Sequence, residues 1–155
     1  EYEARLVPDH TPLCVFMFGN NDTGWAVERT DGFTGGVRVE PDVSLSATAA
    51  MIKGAAKLGG TIWLGPAPIL DERPEDPWLS ETAGLRAELL ENLSAEFEEL
   101  SKVLDVPYLN LHRKLSNKKK WIEAFKANDG IHPHGTGFEI IANIIHECPH
   151  WNELF

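Results

Sequence analysis

Asp129-Gly130-Ile131-His132-Pro133 sets a carboxylate three residues before an imidazole, across a turn that glycine can open. At that spacing the carboxylate can hold one ring nitrogen as a donor, which leaves the other facing outward as a general base. Pro133 stiffens the chain just after the histidine, and Gly137 eases the turn into a helix. A second cluster, Gly19-Asn20-Asn21-Asp22, ends an apolar run near the start of the chain. An asparagine amide at a strand tip can donate to an oxyanion, and Gly19 lets the backbone turn tightly beside a substrate. Taken singly, each cluster has a plain alternative. Asp-x-x-His pairs are common structural contacts, and Asn/Asp-rich turns close many strands.

The elements that must position these groups can be read from apolar periodicity. Three short runs, Leu13 to Phe18, Thr61 to Leu64 and Val106 to Leu111, have the character of strands buried on both faces. Such strands, separated by helical segments, point to a parallel sheet covered on both sides. Gly19 to Asp22 and Gly65-Pro66-Ala67-Pro68 follow the first two, at the carboxyl ends where open α/β sheets bind ligands. One helix is expected over about 45–58, stopped by Gly59-Gly60. A longer helix is expected after Ser80 as N-cap, running to about Leu104. Its stripe is Leu85, Leu89, Leu93, Phe97, Leu100 and Leu104, with Glu88, Glu91, Glu98 and Glu99 as a solvated face. A short helix should cover Lys118 to Lys126. The last helix should open on a Thr136/Glu139 capping box and bury Ile140, Ile141, Ile144 and Ile145. Thr23 to Val43 reads as a glycine-bearing loop, either a lid or an insertion, and Asp71 to Pro77 as a second loop.

The 155 residues fit one domain, and 43% hydrophobic content suits a sizeable core. A formal charge of −10 disfavours nucleic acid and anionic membrane surfaces as partners. No apolar stretch approaches the roughly 20 residues needed to span a bilayer. Cys14 reads as a buried thiol, and with Cys148 it makes no disulfide framework or zinc knuckle. A reduced, cytoplasmic setting follows as the expectation. Trp25, Phe33, Trp78 and Trp121 could line an acyl or carbohydrate pocket, or serve as ordinary core and rim residues.

Together the two clusters resemble the SGNH hydrolase superfamily, the GDSL-type esterases and lipases. Gly19, Asn20, Asn21 and Asp22 match that family's Gly-x-Asn-Asp block, and Asp129 to Pro133 match its Asp-x-x-His-Pro block. Their order, their separation of roughly a hundred residues and their strand-end and pre-helix contexts agree with it. The resemblance implies an α/β fold, a three-layer αβα sandwich with about five parallel strands in flavodoxin-like order. It implies a serine esterase acting on a small-molecule ester, with no cofactor and no metal. His132 would be the general base, Asp129 its orienting partner, Asn21 an oxyanion donor and Gly19 the residue shaping that donor's loop. Asp22 would be a structural acceptor.

Two of the family's blocks have no match. The Gly-Asp-Ser block, which supplies the nucleophile, is absent, as is the glycine that adds a second oxyanion donor. Ser80 reads as a cap, Ser94 and Ser101 as helix positions, Ser116 as a loop residue, and Ser44 and Ser46 as a helix start. The expectation is therefore that residues 1–155 form a single SGNH-like domain comprising its C-terminal two-thirds to three-quarters. The N-terminal strands and nucleophile would lie outside them, Glu1 to Leu6 would be the tail of a helix, and these residues alone would be inactive. Two other readings stay open. One is a non-catalytic binding module of the same fold. The other is a metal-dependent hydrolase built on Asp22, Asp129, His132 and His134.

Overall fold

The computed structural model describes residues 12–24, 37–70, 77–130 and 132–153, with side chains described from residue 85 onward in the helix that begins at Pro77. Three apolar segments, β1 (Leu13–Met17), β2 (Gly60–Leu64) and β3 (Tyr108–Leu109), form a parallel sheet in the order β1-β2-β3. β1 and β2 run in register from Leu13 opposite Gly60 to Met17 opposite Leu64, so their carboxyl tips end side by side.

Alternation along β2 sends neighbouring side chains to opposite faces. Ile62 and Leu64 join Leu109, Leu111, Leu115, Trp121, Phe125, Ile141 and Ile144 in one core. Trp63 joins Ile52, Leu93, Phe97 and Val106 in another, with Phe16 and Phe18 packed against it. The helices α1 (Pro41–Ala56) and α2 (Pro77–Leu104) therefore cover one face of the sheet. The other face carries α3 (Leu111–Leu115), α4 (Lys119–Lys126) and α5 (Gly135–His146), followed by the short α6 (Pro149–Asn152). The protein is thus α/β, with a parallel sheet and helices on both sides.

Several elements differ from the sequence expectation. β1 is not buried on both faces: Val15 is 45% and Met17 46% exposed. Cys14 beside them is half-buried rather than buried. β3 keeps only two residues of the expected run, because the Asn110 side chain accepts the Arg113 N–H at 2.8 Å and turns the chain into α3. α1 and α2 each begin earlier than expected, on Pro41 and Pro77. Proline suits a first helical turn, where its missing N–H would have no partner, so Ser80 lies inside α2 and is not its cap. Along α2 the buried stripe is also rotated. Leu85 is exposed, whereas Leu90, Leu93 and Phe97 are buried.

The Thr136/Glu139 capping box does not form. α5 starts at Gly135 with His134 as its N-cap and no side-chain cap, which leaves Thr136 already inside the first turn. The early start has a packing cause. His134 N–H donates to the Ala124 carbonyl at 2.8 Å, and Gly137 lies so close to Pro133 that a Cβ there would overlap the proline ring. Residues 25–36 of the expected lid, 71–76 of the second loop and Glu1 to Leu6 lie outside the described residues.

Candidate functional site

The turn between α4 and α5 carries the Asp129/His132 pair. Asp129 Oδ2 lies 2.7 Å from His132 Nδ1, and Asp129 Oδ1 accepts the His132 backbone N–H, also at 2.7 Å. One carboxylate thus fixes both the ring and the backbone of the same residue. An ionised carboxylate only accepts, so Nδ1 carries a proton, and in the neutral ring Nε2 is the nitrogen with the lone pair. The Asn128 amide donates to the His132 carbonyl at 3.1 Å, and Gly130 takes the left-handed conformation (φ 74°) that lets the turn close. The imidazole is 70% exposed.

The second cluster follows β1. Gly19 has φ 110°, and a Cβ there would approach the Phe97 ring to 3.0 Å. Asp22 N–H donates to the Gly19 carbonyl at 3.1 Å, closing a turn with Asn20 and Asn21 at its apex. Asn20 does not point outward: its amide donates to the Ala67 carbonyl beyond β2 at 2.6 Å. Asp22 Oδ2 accepts the Ser44 hydroxyl of α1 at 2.6 Å. Asn21, by contrast, is exposed.

These two clusters border one cleft of about 200 Å³ at the carboxyl tips of β1 and β2. Asn20, Asn21, Arg86, His132 and Pro133 all line it. Met17, Ala67, Ile69, Trp121, Phe125, Phe138 and Ile141 supply an apolar lining, with Phe138 60% exposed. Of the residues expected at the site, Asn21 and His132 therefore share a cleft. Asp129 backs the histidine, and Gly19 is buried behind the asparagine turn. Of the four aromatics expected at a pocket, Trp121 does line this one. Trp25 and Phe33 are outside the described residues, as is the side chain of Trp78.

Arg86 is the site residue that sequence reasoning missed. It lies one turn before Leu90 on the buried side of α2, and a cation on an apolar stripe was the signal available in the sequence. Its Nη2 donates to the Asn20 carbonyl at 3.2 Å.

No described serine hydroxyl borders the cleft. Ser44 is engaged by Asp22, and Ser46 and Ser101 donate to carbonyls within their own helices. Ser94 is buried against Tyr108 and Asn110. Ser116 lies 3.2 Å from His112 Nδ1, but its hydroxyl donates to the His112 carbonyl at 2.6 Å. Among the described residues no three metal-binding side chains cluster, and no helix is long and apolar enough to cross a membrane. No model of a known protein family matches the chain, and no curated protein matches it.

Proposed function

We propose that the protein is a serine-type ester hydrolase of the SGNH (GDSL) class, acting on small-molecule esters by two-step acyl transfer. One observation carries this reading: an imidazole held by a carboxylate and an exposed asparagine border the same apolar cleft. His132 takes the proton of a serine as it attacks the ester carbonyl, and Asn21 donates to the oxyanion. His132 then protonates the leaving alcohol, and water repeats the sequence on the acyl-enzyme.

The nucleophile is none of the serines whose side chains are described, each of which is engaged elsewhere. Among the described residues β1 pairs only with β2, and Val15 and Met17 on it stand half-exposed. A further parallel strand beside β1 would end at the cleft, as in a five-stranded SGNH sandwich. The free thiols Cys14 and Cys148 suit a reducing, cytoplasmic setting.

The test is ester hydrolysis and fluorophosphonate labelling of the intact protein. Wild type should turn over and label on serine, and His132→Ala should lose both. Wild-type activity in His132→Ala overturns the reading, whereas binding without turnover or labelling in either protein indicates a non-catalytic module.

A further inference from the structure

The Asn20 carbonyl and the Asn21 N–H belong to one peptide unit, so whatever holds the first also orients the residue that carries the second. That carbonyl accepts two bonds from different directions, one from Arg86 Nη2 at 3.2 Å and one from Thr23 Oγ1 at 3.1 Å. The Asn20 side chain is tied separately to Ala67, and Asp22 to Ser44. The apex is therefore held from α2, from the tip of β2 and from α1. Thr23 is part of the turn itself, so Arg86 supplies the carbonyl's one described tether to another element.

We propose that Arg86 is a positioning residue for the Asn21 oxyanion donor. The guanidinium fixes the plane of the Asn20–Asn21 peptide, and with it the direction in which the Asn21 amide enters the cleft. A charged donor holds a carbonyl more tightly than a neutral one, which suits a group that must not shift as charge develops. Arg86 also borders the cleft. This inference rests on the proposed hydrolase function.

The experiment compares wild type, Arg86→Met, Arg86→Lys and His132→Ala in the intact protein with p-nitrophenyl acetate. Arg86→Met should lower kcat about ten- to a hundredfold, as expected for a slightly misplaced catalytic group, with KM little changed. Arg86→Lys keeps a charged donor and should recover much of the loss. The inference is overturned if Arg86→Met keeps kcat within about twofold, if only KM moves, or if Lys and Met behave alike. In those outcomes an inactive His132→Ala leaves the hydrolase reading standing. An active His132→Ala removes that reading instead.

Discussion

The Asn20 side chain reaches across from the tip of β1 to donate to the Ala67 carbonyl beyond β2, at 2.6 Å. Two strand-end loops are thereby joined by the residue next to the exposed Asn21. Asn20→Ala should lower stability by about 1 kcal/mol, the usual net worth of one hydrogen bond. It should also reduce kcat by roughly tenfold or more, because the loop that carries Asn21 loses an anchor. Urea unfolding and steady-state kinetics on the same preparation check both parts.

Asp129→Asn should leave the turn formed but reverse the proton on His132. An asparagine amide facing Nδ1 donates to it, which moves the ring proton to Nε2 and removes the base. A fall in kcat of roughly a thousandfold or more is expected, with unfolding little affected. Retention of more than about a tenth of the rate would mean that Asp129 does not set the tautomer.

Gly137 packs against Pro133 and Ala124, where a Cβ has no room. Gly137→Ala should push α5 away from α4 and cost about 1–3 kcal/mol. Gly135, with nothing within 4 Å of its would-be Cβ, is the control. Gly135→Ala should cost less in the same denaturation series.

Stability should fall in two steps as pH drops. Burial, partly opposed by the charge of Glu91, holds His112 below its ordinary value of 6.5. The unfolded chain then binds the proton first, so the contribution is complete above about pH 6.5 and is lost as pH falls below it. Burial alone would raise Glu98, but hydrogen bonds from Arg113 and Asn110 outweigh it and hold the carboxyl below 4.5. Its contribution is lost only below about that pH. Denaturation midpoints between pH 8 and 3 test this, and His112→Gln should remove the upper step alone.

The parallel strands and the two chemical clusters were legible because each depends on local order. Continuous apolar runs marked β1 and β2, and Asp129 and His132 meet within a single turn. What was missed depends on contacts between distant segments. Arg86 meets Asn20 across 66 residues, and Ser44 meets Asp22 across 22. The capping box failed for the same reason, since α5 is started by contacts with α4 rather than by its own side chains. β1 has a buried strand's composition, yet Val15 and Met17 stay about half exposed.

Trp121, Phe125 and Ile141 belong at once to the core beneath the sheet and to the floor of the cleft. Trp121 also donates from its indole to the Pro68 carbonyl at 2.9 Å, latching α4 to the loop after β2. An occupant of the cleft would rest directly on the side chains that hold two helices in place. Ligand affinity and melting temperature are therefore thermodynamically linked here, and enlarging the floor to admit a bulkier acyl group would draw on the same contacts that keep the protein folded.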